Sequence, residues 1–291
     1  MADEERLELS ARGSATIFQN IIGGLSGLIA LYFIARYVPK SSYGMYAFVL
    51  SIYNLYMFLT DLGLTTTLIK KYTENNHRIA DLLGTYITLK MILGGSIVLL
   101  SYVGVHYILP IFGYRLFDAT TDLMFNTMLI WILIECTVLA TIRGFMAGNI
   151  SYVTINTINA FEALFRSIIL IVVALVYKAR IIDALSAAYY MLLAFIFSKV
   201  FNLVVSYYAS GKIIVKAKLG LNKEILKEFL SFALPLAISG AIVIISTNID
   251  KFMIGWAFTS AEVGDYDVVQ RYARFISNIA RGISQIFFVK M

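Results

Sequence analysis

The chain has 291 residues, of which 59% are hydrophobic and only 14% charged, far from the roughly 45–50% apolar and 25% charged make-up of water-soluble domains. That composition excludes an ordinary soluble enzyme, and apolar runs of about twenty residues exclude a β-barrel, whose strands alternate polar and apolar over about ten. The formal charge of +6 is scattered over short connections, so it acts on topology and offers no basic face to nucleic acid.

Windows of about 20 residues place eight membrane-spanning helices at roughly 14–37, 44–69, 82–109, 121–147, 151–177, 184–209, 229–257 and 264–289. The expected fold is an all-α polytopic membrane protein, because lipid leaves backbone polar groups no partner outside their own segment. Before the first span, residues 1–13 are polar, and Met1-Ala2-Asp3-Glu4-Glu5-Arg6 lacks the basic start and cleavage site of a secretory signal, so the first span is expected to stay in the mature protein. With that segment cytoplasmic, the inner side carries Arg6, Arg12, Lys70, Lys71, Arg78, Lys212, Lys216, Lys218, Lys223 and Lys227, against Arg36, Lys40, Arg115, Lys178 and Arg180 outside. This bias predicts a cytoplasmic N-terminus. The basic connection at 211–228 alternates Lys with apolar residues, which suits an interfacial helix on the anionic leaflet or a solvated loop equally well. No connection is long enough to hold a catalytic domain outside the membrane, so no enzyme activity is expected.

Polar residues within the spans carry the functional information. On the fifth span Tyr152, Asn156, Asn159, Glu162 and Arg166 recur at steps of three or four, drawing a polar stripe on one helical face. Glu162 and Arg166, four apart, suit a buried pair or a ligand-binding face. Lys90, Lys199 and, on the eighth span, Arg274 are further cations at membrane depth, and with Asn156 and Asn159 they are candidates for a polar cavity. Arg143 and Arg281 lie near enough to span ends to reach the headgroups. Among acids, Asp61, Glu135, Glu162 and Asp250 are candidates for ion coupling or for buried pairs, Glu135 with Arg143 or Lys90 as its partner. The single cysteine, Cys136, allows no intramolecular disulfide, and His77 and His106 have no ligand-spaced companions, so no metal or other cofactor is expected. Gly23 and Gly27 form a Gly-x-x-x-Gly that permits close packing of the first span.

Tyr43-Gly44-Met45-Tyr46 follows the first span and Val263-Gly264-Asp265-Tyr266 the seventh. Six spans lie between them, an even number, so the two would open repeats of the same orientation. This predicts one six-helix lobe over 14–210 and, over 229–291, the first two helices of a second, parallel-repeat lobe, the second copy having barely begun when the chain stops.

On these residues the chain resembles the polysaccharide biosynthesis, or lipid-linked oligosaccharide flippase, branch of the multidrug/oligosaccharidyl-lipid/polysaccharide exporter superfamily. The resemblance is carried by Arg12-Gly13-Ser14, by Ala35-Arg36-Tyr37-Val38-Pro39-Lys40-Ser41-Ser42-Tyr43-Gly44, by Asp61-Leu62-Gly63-Leu64, by Phe232-Ala233-Leu234-Pro235 and by Asn248-Ile249-Asp250-Lys251 with Val263-Gly264-Asp265-Tyr266. Val38 stands where members often carry Gly. The resemblance implies two lobes around a central cavity, a polyprenyl-linked glycan as substrate, alternating access as the mechanism, and the lipid bilayer and glycan-assembly machinery as partners. A drug/cation antiporter of the same superfamily is the nearest alternative, although its cavity would be more acidic than this basic-leaning one; an integral membrane glycan-assembly enzyme or a scaffold is the alternative from another class.

Overall fold

A computed structural model describes residues 2–74, 79–113, 117–139, 152–209 and 219–290, with the side chains of 2–13, 72–74, 138–139, 152 and 278–290 left aside. Among the described residues all regular structure is helical: α1 (Ala2–Tyr37), α2 (Lys40–Asp61), α3 (Leu64–Glu74), α4 (Ile79–Val103) running through a π turn (Gly104–Ile108) into α5 (Leu109–Ile111), α6 (Ala119–Ile134) with a second π turn (Glu135–Leu139), α7 (Tyr152–Lys178), α8 (Ala184–Ala209), α9 (Lys223–Ala257) and α10 (Ser260–Lys290). Arg143, His77, Arg78, Arg115, Lys212, Lys216 and Lys218 lie outside the described residues, as do the side chains of Arg6, Arg12, Tyr152 and Arg281.

Six of these helices are long and apolar enough to cross a membrane, or seven if the bent pair α2 and α3 forms one span. The protein is therefore a multi-pass membrane protein, but the expected count of eight is not established. The eighth candidate, α10, is helical throughout yet falls outside that set, and its first half carries Glu262, Asp265, Asp267, Arg271 and Arg274. The second expected span differs as well. Instead of running unbroken from 44 to 69, it stops at Asp61, passes through Leu62 (φ 41°) and Gly63 (φ 79°), and restarts as α3 with a bend of 42°. Two consecutive left-handed residues cannot continue a right-handed helix. A Cβ on Gly63 would also stand 3.0 Å from the Leu236 Cβ and 3.1 Å from the Ala233 carbonyl oxygen, so a side chain there is crowded as well as strained in its backbone angles.

By their internal contacts residues 1–47, 150–209 and 259–291 make one compact unit, and 48–149 with 210–258 another. In the first unit, α1 packs along α7, α7 along α8, and α1 against α10. Gly23 faces the Ala163 Cβ and Gly24 the ring of Phe275, whereas Gly27 meets nothing, so the small-residue motif is used at its first glycine only. The first turns of α2 and α10 meet backbone to backbone. A Cβ on Gly44 would overlap the Ser260 carbonyl oxygen, and one on Gly264 would come 2.7 Å from the Lys40 carbonyl oxygen. Ser260 and Lys40 each stand four residues before the glycine of their own helix, so the contact is reciprocal. Lys40 Nζ lies 3.0 Å from an Asp265 oxygen. Buried Asp267 accepts a hydrogen bond from the Tyr43 hydroxyl and one of 2.6 Å from Arg271 Nε.

The second unit is built on Leu64, Leu68, Leu83, Tyr86, Phe229 and their neighbours from α3, α4 and α9. Large apolar side chains such as Leu99, Leu100, Ile168 and Ile242 are exposed, as expected where lipid is the solvent. Helix starts in the connections carry side-chain caps: the Asp118 carboxylate accepts from the Thr121 amide, the Asn222 carbonyl from the Glu224 amide, and Glu262 from both the amide and the hydroxyl of Thr259.

Candidate functional site

The polar stripe of the fifth span is on α7, where its residues turn toward α1 and α8. Glu162 is buried and receives Lys199 Nζ at 2.9 Å, Asn202 Nδ2 at 2.8 Å and, more loosely, Arg166 Nη1 at 4.0 Å. Asn202 Nδ2 also donates to the Asn159 Oδ1 at 3.0 Å. One turn earlier, Asn156 donates to the Thr16 hydroxyl of α1. Gln19, Asn20, Gly23, Asn159, Glu162, Arg166 and Lys199 line a pocket of about 460 Å³.

The charge pattern of this pocket follows from burial. An uncompensated cation at membrane depth costs about 2.5–3.5 kcal/mol on insertion scales, so two of them require a counter-ion, and Glu162 supplies one. One carboxylate against two cations leaves the lining with an excess positive charge. The nearer cation, Lys199, holds the carboxylate. The guanidinium of Arg166, about one-third exposed, presents a planar donor fork to the pocket, a shape that suits carboxylate or phosphate.

A second set of expected residues gathers in the other unit. Lys90 of α4 is buried and bonds Asp61 Oδ1, which also accepts from the Thr65 hydroxyl, itself 3.0 Å from the Tyr86 hydroxyl. Glu135, expected beside Arg143 or Lys90, accepts a 2.7 Å hydrogen bond from the Tyr53 hydroxyl. Met57, Asp61, Thr65, Tyr86, Lys90, Glu135 and Cys136 line a cavity of about 300 Å³. Arg274 lies apart on α10, bonded to the Gln270 side-chain oxygen at 2.6 Å. Asp250 is half-buried on α9 next to buried Lys251 and lines neither space.

Gln19, Asn20, Asn202, Tyr53, Thr65 and Tyr86 were not among the expected site residues. Asn202 and the Gln19-Asn20 pair carry a usable signal, an amide inside an apolar run; the tyrosines and the threonine do not, since such residues are common in any span.

A comparison of folds matches a crystal structure of a mutant MATE protein, with a TM-score of 0.50 and 15% identity, covering 98% of this chain and 68% of the other. At that identity the likeness concerns the fold alone, which is MATE-like. A comparison with curated proteins finds no match. The family model described as polysaccharide biosynthesis protein matches residues 11–288. With nearly the whole length matched, the chain belongs to the polysaccharide biosynthesis protein family.

Proposed function

We infer that the protein is a flippase or exporter that moves a polyprenyl-linked oligosaccharide or polysaccharide precursor across the plasma membrane by alternating access between two lobes, with its N-terminus cytoplasmic. The observation that carries this reading is the pocket on α7, in which Glu162 sits between Lys199 and Arg166. A phosphate or pyrophosphate linkage cannot enter hydrocarbon unassisted, and this lining offers two cations and three side-chain amides, Gln19, Asn20 and Asn159. Arg166 takes the anionic group through paired hydrogen bonds, Lys199 supports it, and Glu162 balances both in the empty state. The amides suit sugar hydroxyls. The same positive excess disfavours an organic cation as cargo. Residues 14–210 form the first lobe in this reading and 229–291 contribute to the second.

The test is translocation of a lipid-linked glycan by the full-length protein in proteoliposomes. Arg166→Ala lowers apparent affinity by about tenfold or more, the equivalent of about 1.5–3 kcal/mol for a charged hydrogen bond, and Arg166→Lys, which keeps charge but loses the fork, lowers it less. Normal insertion of Arg166→Ala with wild-type affinity and rate would remove the assignment and leave the stripe as packing between helices.

A further inference from the structure

Three helix ends of the first unit meet at one membrane surface. Helices α1, α7 and α8 are each long and apolar enough to cross a bilayer; α1 ends at Tyr37, α7 ends at Lys178 and α8 begins at Ala184. Between these ends lies a pocket of about 820 Å³ whose lining includes Arg36, Tyr37, Lys178, Arg180, Ile181 and Asp183. It shares no lining residue with either polar site described above.

The charges of this pocket are unbalanced. Lys178 Nζ donates to the Tyr37 hydroxyl at 3.4 Å and stands 4.5 Å from the centroid of that ring, and the Arg36 guanidinium carbon stands 5.9 Å from it, so one ring gathers two cations. Among the described residues, none of Arg36, Lys178 and Arg180 has a carboxylate within salt-bridge distance. Asp183 is the one acid of the lining, and its carboxylate is engaged at the start of α8, accepting from the Leu185 amide at 3.2 Å and from the Ser186 hydroxyl.

The third cation occupies an unusual backbone position. Helix α7 closes with the Arg180 amide on the Tyr177 carbonyl at 2.9 Å and the Ile181 amide on the Val176 carbonyl at 3.3 Å, with Arg180 at φ 58°. Glycine is the residue that this left-handed helix stop ordinarily takes. A side chain in such a place is strained, and strain of this kind gathers where the side chain has a use.

We propose that this pocket binds the phosphate headgroup of an anionic membrane lipid. Arg36 and Arg180 offer planar donor forks to the phosphate, Lys178 adds a point charge, and the Tyr37 hydroxyl, which accepts from Lys178, has its own proton to donate. The position at the ends of three spans, and the 73% exposure of Ile181 in the lining, favour a lipid over a soluble phosphate. The inference stands apart from the identity of the transported molecule.

The test follows the full-length protein in detergent micelles carrying phosphatidylglycerol, phosphatidylcholine or inorganic phosphate at matched concentration, with the unfolding midpoint and lipid retained in native mass spectra as readouts. Phosphatidylglycerol should raise the midpoint and be retained, and the other two should do neither. Arg36→Gln and Arg180→Gly should each weaken phosphatidylglycerol binding by about fivefold. Without lipid, Arg180→Gly should melt no lower than the wild type, since glycine suits φ 58°, which separates lost binding from lost folding. Equal responses to the two lipids overturn the proposal, and a response to inorganic phosphate equal to that for phosphatidylglycerol assigns the cluster to a soluble anion and overturns it too. Wild-type affinity for phosphatidylglycerol in both variants places the lipid elsewhere, with the same result.

Discussion

The two polar sites are near mirror images in charge. The pocket on α7 sets one carboxylate, Glu162, against Lys199 and Arg166; the cavity behind the broken helix sets one ammonium, Lys90, against Asp61 and Glu135. At membrane depth the minority charge is the keystone of the first site, where Glu162 has both cations within reach; in the second, Lys90 holds Asp61, while Glu135 takes the Tyr53 hydroxyl. The difference also separates their chemistry. The first lining combines excess positive charge with side-chain amides, the second excess carboxyl with phenol.

The sharpest way to break the comparison is to delete the minority charges. Glu162→Leu and Lys90→Met should each destabilise the protein by about 3–5 kcal/mol, the cost of stranding buried partners, read as a lowered unfolding midpoint in detergent. Deleting a majority charge, as in Lys199→Met or Asp61→Asn, should cost less, about 1.5–3 kcal/mol for a charged hydrogen bond. An inverted order in either pair would show that the charge arithmetic is not what holds these sites. The glycines sharpen the contrast at smaller scale. Gly63→Ala, at φ 79° and against the Ala233 carbonyl, should lower stability by about 1–2 kcal/mol for the left-handed backbone alone. Gly23→Ala beside the α7 pocket meets only the Ala163 Cβ at 3.5 Å and should be neutral or stabilising by up to about 1 kcal/mol, since alanine is the better helix former. Melting curves of the two variants decide the point.

The smallest expected effect lies outside both sites, in the connections. The Ser186 hydroxyl holds the Asp183 carboxyl below its usual range, and the Thr259 hydroxyl does the same for Glu262. A carboxyl whose folded value is lowered adds stability that is present above its unfolded value of about 4 and is lost as pH falls through the lowered one. Acidification below about pH 4 should therefore lower the melting midpoint slightly, and Asp183→Asn should make that drop smaller.

Much of the α7 site was legible in the sequence because its information is local. Asn156, Asn159, Glu162 and Arg166 share a face by helical period alone, and a lysine such as Lys199 inside an apolar run announces itself by its cost. What the period could not give was the ranking: Lys199, 37 positions away, lies closer to Glu162 than Arg166 does at four, because partner choice depends on how α8 is turned against α7. The second cavity was less legible still. Asp61, Lys90 and Glu135 stood out singly, but the hydroxyl on Glu135 comes from Tyr53, 82 positions away. The break in α2 hides behind a left-handed leucine, a residue with no turn signature. The charged half of α10 falls in the eighth expected span, and its composition leaves the span count open.

The reciprocal meeting of Gly44 and Gly264 has a consequence for the history of the gene. Each glycine is covered by a main-chain oxygen four positions ahead of the other, so what faces it is backbone that a neighbouring side-chain change cannot reshape. A substitution at either end is an obstruction against backbone, and no second substitution at the opposite end makes room for it. The two positions are thereby withdrawn from compensatory drift, and the pair itself changes only if the seam is abandoned.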